Sequence, residues 1–343
     1  MKKSENYNRI NTFDENNTGN ISEANIADGQ GKLKDTAAVR LVKFVKVIVV
    51  IAVILVMSVV LKNSLGGNKA LKEAEKLNQL AAETEVETTT EAVGSDGILL
   101  KYKEAYEKNN DLVGWITVPN TTIDHPVVQA DDNEYYLRKN FYKLYDKRGT
   151  IFMDSRCSYT DFDKNTVLYG HNFLDSTMFS DLEKYKDLDF YRSAPVIDFN
   201  TIYKSYKWKV FAVYLINVNP KDDNGYAFVY IYPFMTDDNF EEYVSLVKKR
   251  SIINTTVDVE KTDKILTLST CTRDMDLPGR GETNARCVVL ARLVRDGESL
   301  AVDTDSATYN ENPKYPDIWY RANGMENPYA DDVNDWVPVG VER

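Results

Sequence analysis

The feature that most constrains this chain is the run at residues 47–61, VIVVIAVILVMSVVL, which is uncharged and rich in β-branched residues. Extended back to Leu41, it is long enough as a helix to cross about 30 Å of hydrocarbon, with Lys43 and Lys46 one turn inside and reaching back to the interface. Some forty polar residues precede it and Lys62-Asn63-Ser64 follows it. It therefore lacks the early start and small-residue cleavage site of a secretory signal, and residues 41–61 are expected to form an uncleaved transmembrane anchor. Arg40, Lys43 and Lys46 crowd its N-terminal flank against Lys62 alone on the other side. The positive-inside bias then puts the N-terminus in the cytoplasm and everything after Leu61 outside, as a single-pass plasma-membrane protein with an extracellular folded domain.

Residues 1–40 are rich in Asn, Asp, Glu, Ser and Gly, cannot bury enough apolar surface to offset the entropy of ordering, and are expected to be a disordered cytoplasmic tail. Within 62–97, the segment KALKEAEKLNQLAAE favours helix, and the Thr-rich TEVETTTEAVGSDG at 84–97 reads as a linker that stands a domain off the membrane.

That domain, 98–298, begins with a helix whose apolar face is Leu99, Tyr102 and Tyr106, ended by Asn109-Asn110-Asp111. Eight short runs rich in β-branched and aromatic residues follow, at 114–118, 122–128, 149–153, 166–169, 196–199, 208–218, 265–270 and 287–294. They predict a mainly β fold, an eight-stranded closed or nearly closed barrel. One further helix is expected before the seventh run: Thr236 caps it, Asp237 and Asp238 fill its first turn, Phe240, Tyr243, Val244 and Val247 form its buried face, and Lys248, Lys249 and Arg250 complement its C-terminal dipole. Residues 299–343 form an acidic, aromatic extension without periodicity, whose role the sequence leaves open between wrapping the barrel and standing free.

Composition excludes some functions. With 42 Lys and Arg against 53 Asp and Glu, the net charge is −11, which argues against a nucleic-acid partner. Two histidines and three widely spaced cysteines lack zinc-site spacing, so the expected chemistry uses no metal and no cofactor.

A thiol attacks as thiolate, and a cysteine at an exposed strand end can be activated by a nearby imidazole and a cation. Cys271 closes the run ILTLSTC, and His171 follows the run TVLYG, where Gly170 permits close backbone approach. Arg286 opens the last strand; always charged, it suits a substrate carbonyl or an oxyanion and not a base. Cys287, next along that strand, points to the opposite face and is expected to be an inert core thiol. Cys157 lies in a loop with no assigned role, and His125, beside Pro126, is expected at the surface or in a groove.

These motifs resemble those of the sortases: TLSTC its nucleophile motif, YGHN at 169–172 its histidine motif, and RCVV at 286–289 its arginine motif. VGWITVPNTTIDHPVVQ at 113–129, DNEYYL at 132–137, GTIFMD at 149–154 and TMFSDLEKY at 177–185 are similar to class B members, as is the position of the helix before the nucleophile strand. The resemblance covers residues 99–294. It implies a sortase-type barrel and a cysteine transpeptidase that cuts secreted proteins within a C-terminal NPxT-type sorting signal through a Cys271 thioacyl intermediate. It further implies resolution of that intermediate by an amine of the peptidoglycan precursor, and a signal groove lined by Asn133, Leu137, Tyr169 and Ser269. One departure is the fourteen residues between Cys271 and Arg286, which hold Arg273 and Arg280 as rival cations; Arg286 is preferred because the strand after it fixes it. Two other classes stay open: a cell-wall cysteine peptidase that only hydrolyses, and a catalytically inactive surface scaffold. Papain-like enzymes place Cys before His, the reverse of the order here.

Overall fold

The computed structural model describes residues 91–223, 228–277, 284–332 and 336–338, together with eight separate positions between 48 and 76. The expected tail at 1–40 and most of the expected anchor and linker lie outside the described residues. Within 41–61 the described positions Ile48, Val49, Ile51, Ile54, Met57 and Ser58 are helical and exposed, and Lys72 and Lys76 are helical in the following segment. Among the described residues no helix is long and apolar enough to cross a membrane.

The predicted barrel is present. In chain order the strands are β1 (Leu112–Thr117), β2 (Asp124–Val128), β3 (Phe152–Met153), β4 (Asn165–Tyr169), β5 (Val196–Thr201), β6 (Lys207–Asn217), β7 (Ile253–Asn254), β8 (Ile265–Cys271), β9 (Ala285–Leu293) and β10 (Thr308–Tyr309). All but β7 and β10 belong to the barrel, which closes in the order β1-β2-β3-β4-β8-β9-β6-β5. β5 returns to pair antiparallel with β1 and so leaves the sheet no edge. Gly114 of β1 is required at that closure, because a Cβ there would lie 2.2 Å from the Asn200 carbonyl oxygen. The third strand is shorter than the run at 149–153: Gly149 has φ of 63°, which breaks the extended backbone just before it.

The helices are α1 (Leu100–Lys108), α2 (Leu188–Ser193), α3 (Asp237–Arg250) and α4 (Asp317–Ala322). Period-two alternation sorts the side chains of the strands they cover. Leu266 and Leu268 of β8 and Cys287, Val289 and Ala291 of β9 point into the barrel's main core, with Trp208, Phe199 and Val210. Ile265 of β8 and Val288 and Leu290 of β9 point outward, into a second core roofed by α3. That helix starts as expected: the Thr236 hydroxyl accepts the Asn239 N–H at 3.3 Å, and Phe240, Tyr243, Val244 and Val247 are buried. β6 is covered on both faces and is buried along nearly its whole length. Helix α1 closes a third cluster with Trp115, Tyr136 and Phe141, and α2 precedes β5.

The extension wraps the barrel. β10 pairs with β7 beside it, α4 follows, and Ala307 and Ile318 are fully buried in the main core. Trp336 reaches the second core. Ala307 and Trp336 are single anchors in polar stretches, and the aromatic group Tyr315, Trp319 and Tyr320 around Ile318 is confined to one short helix and the residues just before it, so no long periodicity announces the extension.

Candidate active site

The ladder between β4 and β8 is parallel and in register, with Tyr169 beside Ser269 at its end; His171 follows β4 by two residues, as Cys271 follows Ser269. Hydrogen bonds extend that ladder past the strand ends. Gly170 N–H donates to Ser269 O (3.2 Å), the Thr270 hydroxyl donates to Gly170 O (2.8 Å), and Asn172 Nδ2 donates to Cys271 O (2.7 Å). Gly170 can only be glycine here, since a Cβ would sit 2.7 Å from the Phe179 ring. On the other side β9 is antiparallel, and Cys271 pairs with Arg286. The central strand thus carries the cysteine, with the histidine just past the end of one neighbour and the arginine on the other.

Cys271 is exposed, whereas Cys157 and Cys287 are buried. Burial pushes the Cys157 thiol up to about 12 and the Cys287 thiol well above its usual range, so neither supplies a thiolate at neutral pH.

His171 is half-buried, and its Nε2 lies 2.9 Å from the Leu137 carbonyl oxygen. A carbonyl only accepts, so Nε2 carries the proton and Nδ1 is left as the basic nitrogen. Burial lowers the imidazole pKa; the Leu137 carbonyl opposes this, and the charges of Arg138 and Arg286 add to it. The ring is therefore neutral at pH 7. Arg286 Nη1 donates to its neighbour's carbonyl, Ala285 O, at 2.9 Å, which fixes the plane of the guanidinium. Of the rival cations, Arg273 is exposed in the loop after Cys271, and Arg280 lies outside the described residues.

The four residues implied for the groove fall into three settings. Asn133 Nδ2 and the Tyr169 hydroxyl both donate to Asp154 Oδ2, at 3.1 and 2.8 Å. Leu137 is half-buried and contributes its carbonyl to His171. Ser269 is buried, and its hydroxyl is committed to Tyr230 Oη at 2.9 Å. His125, expected at the surface or in a groove, is instead 5% exposed. It alternates with Ile123 and Val127, both in the main core, and pairs with Ile116, so the strand period turns it inward.

Three residues unassigned by the sequence organise this region. Asp154 is fully buried and receives Arg156 Nε and Nη2, both at 2.8 Å. Burial pushes its carboxyl up, but Arg156, a backbone N–H and the Tyr169 hydroxyl outweigh burial and hold it below the usual carboxylate range. Arg156 also donates to Ile231 O at 2.9 Å, tying the Asn133–Tyr169 side to the segment that carries Tyr230. Asp154 and Arg156 were visible only at and beside the GTIFMD motif, and Tyr230 had no sequence signal. Among the described residues no group of His, Cys, Asp and Glu could hold a metal ion.

With this geometry in hand, comparison with known proteins decides the family. A family model described as the sortase domain matches residues 116–294. The chain belongs to the sortase family. Sortase B of Listeria monocytogenes is 37% identical over 195 residues, which span 56% of this chain and 73% of the relative. The solved Staphylococcus aureus sortase B–substrate complex superposes with a TM-score of 0.53 at 31% identity, covering 65% of this chain and 94% of that one. A sortase B structure complexed with triglycine gives a TM-score of 0.53 at 31% identity, with coverages of 65% and 94%. The chain is thus a class B sortase-type cysteine transpeptidase, and the family match ends before the C-terminal extension begins.

Proposed function

We propose that this sortase cleaves secreted proteins within a C-terminal NPxT-type signal and transfers them to an amine of the peptidoglycan precursor, with Cys271, His171 and Arg286 as its catalytic residues. The observation that carries the assignment is the placing of an exposed cysteine on the strand between β4, which the histidine follows by two residues, and β9, which bears the arginine. His171 Nδ1 takes the proton from Cys271 Sγ, and the thiolate attacks the Thr carbonyl carbon. Arg286 donates to the oxyanion that forms. As the peptide C–N bond breaks, the imidazolium gives its proton to the leaving amine, and a thioester to Cys271 remains. An incoming amine attacks that carbonyl and loses a proton to His171, and the departing thiolate recovers it. Asn133, Leu137, Tyr169 and Ser269 form or brace the signal groove. Two of them, Asn133 and Tyr169, are held in place by donating to Asp154.

The choice of signal follows from the class B resemblance of the motifs, and an amine acceptor is in keeping with one relative solved with a substrate and one with triglycine. Mass spectrometry of products from NPxT-type peptides with candidate amines tests it: ligated product is expected. Water-only products with every amine would favour a peptidase, and no cleavage with an unlabelled Cys271 would favour an inactive scaffold.

We also infer that residues 41–61 anchor the chain in the plasma membrane with the catalytic domain outside, from the charge asymmetry around that run. Protease added to wall-stripped cells should cut within 84–97 and release the domain; recovery of the full-length chain in the soluble cytoplasmic fraction would refute this.

A further inference from the structure

The sortase match stops at residue 294, yet the chain continues to a tryptophan that is 3% exposed. Trp336 fills the second core, its ring centroid 5.0 Å from Tyr243 and 5.8 Å from Phe228, and its Nε1 donates to Glu242 Oε2 at 3.2 Å. Its carbonyl accepts the Val229 N–H at 2.9 Å, and residues 228 and 336 form a parallel bridge. The extension therefore grips the chain at residues 228–229, through backbone and ring alike.

One residue further along is Tyr230, whose hydroxyl meets Ser269 Oγ at 2.9 Å, two residues before Cys271 on the same face of β8. The barrel holds this segment from its other side: Asn165 Nδ2 donates to Tyr230 O at 3.0 Å and Tyr232 O at 3.3 Å, and Arg156 donates to Ile231 O. Without the Trp336 contact, the N-terminal end of the segment would lose its backbone tie. Phe228 would then be held by ring contacts with Tyr243 and Tyr214 and by the Arg250 guanidinium, 4.2 Å from its ring.

We propose that Trp336 is a positioning residue of the active site: it clamps residues 228–233 against the barrel and, through Tyr230 and Ser269, sets the wall beside Cys271. The proposal rests on the reading of Cys271 as the acylated nucleophile. It separates two functions in space. The β4-β8-β9 ladder holds Cys271, His171 and Arg286 without help from the extension, whereas the wall that receives the peptide depends on it. Loss of the clamp should then weaken substrate binding more than it slows the chemistry.

The test uses the full chain with Trp336→Ala, Trp336→Phe, Tyr230→Phe and the double variant Trp336→Ala/Tyr230→Phe, folding being checked by circular dichroism. Trp336→Ala is expected to raise KM for an NPxT-type peptide about tenfold with kcat within about threefold. Trp336→Phe, which keeps an aromatic ring in the second core to hold the residue 336 backbone in place, should recover most of that loss and serves as the graded variant if the alanine chain does not fold. The double variant should be no worse than the poorer single one, because both act on one wall. An unchanged KM with only a lowered Tm, or losses that multiply in the double variant, would overturn the proposal. Amide exchange at 229–232 gives a readout independent of the reaction: it should quicken in Trp336→Ala and stay near wild type in Trp336→Phe. If wild-type protein cleaves no NPxT-type peptide, the functional reading fails, while unchanged exchange in Trp336→Ala overturns the clamp itself.

Discussion

The barrel holds the same two chemistries on opposite faces. At the lip, Cys271 is exposed and His171 half-buried; inside, Cys287 and His125 are enclosed by the main core. Cys271 and Cys287 are nearly cross-strand neighbours, since Cys271 pairs with Arg286 and Thr270 with Cys287. One step along a pleated strand therefore separates a thiol open to a peptide from one whose ionisation is suppressed by burial. The histidines repeat the lesson. Burial drives His125 down to about 4, and its Nε2 has no hydrogen-bond partner among the described residues. His171, by contrast, gives Nε2–H to Leu137 O and keeps Nδ1 for chemistry. Residue type alone does not separate the proposed catalytic pair from the buried one; face and register do.

The sharpest way to break this comparison is to delete each thiol. Cys271→Ala should lower kcat/KM by at least about 10⁴-fold, as removal of a covalent nucleophile does. Cys287→Ala should leave kcat/KM within about threefold and cost roughly 1–2 kcal/mol of stability as a small core truncation. Steady-state kinetics paired with urea unfolding reads both, and comparable activity losses would erase the distinction between the faces.

Next in size is Arg286, whose planar fork lies on the outer face with Cys271. Arg286→Lys keeps the charge but not the geometry and should lose on the order of 10²- to 10³-fold in kcat/KM. Arg273→Ala should change it only a few-fold, because Arg273 lies in an exposed loop outside the β8–β9 ladder that pairs Arg286 with Cys271. A near-normal Arg286→Lys enzyme would move the role elsewhere.

The inner face predicts a stability effect. His125 has a folded pKa depressed from 6.5 to about 4, so its contribution is fully present above pH 6.5 and is lost as pH falls toward 4, where the unfolded chain binds the extra proton first. The loss approaches about 3 kcal/mol across that window. Replacing His125 with Phe should remove this component from a urea-denaturation series measured between pH 4 and 7; an unaltered pH slope would place His125 outside the account. A smaller effect belongs to the outer histidine. The acid limb of kcat/KM should have its midpoint below 6.5, since burial and two neighbouring arginines disfavour protonated His171. A midpoint above 6.5 would contradict that environment.

Much of this arrangement was legible in the sequence. Alternation and β-branched runs mark the barrel strands, Thr236 and the apolar stripe after it mark α3, and the strand-end placing of Cys271, with Gly170-His171 and Arg286, marks the proposed site. His125 could also have been read correctly, since Ile123, His125 and Val127 share one face. Other features left no local trace. β7 and β10 are two residues each, too short for a pattern, Ala307 and Trp336 are isolated anchors in a polar tail, and the cluster around Ile318 spans only one short helix and the residues just before it. The Tyr230–Ser269 bond and the bond from Arg156 to Ile231 join segments distant in sequence, so only the closed barrel brings them together.

The account's central claim is that Cys271 alone carries the acyl group. Acid quenching during turnover of an NPxT-type peptide, followed by peptide-level mass spectrometry, tests it directly. The expected result is the acyl fragment in thioester linkage on Cys271, discharged when a candidate amine is added and missing from Cys157 and Cys287. An acyl group on either buried cysteine, or turnover by Cys271→Ala protein at the wild-type rate, would contradict it.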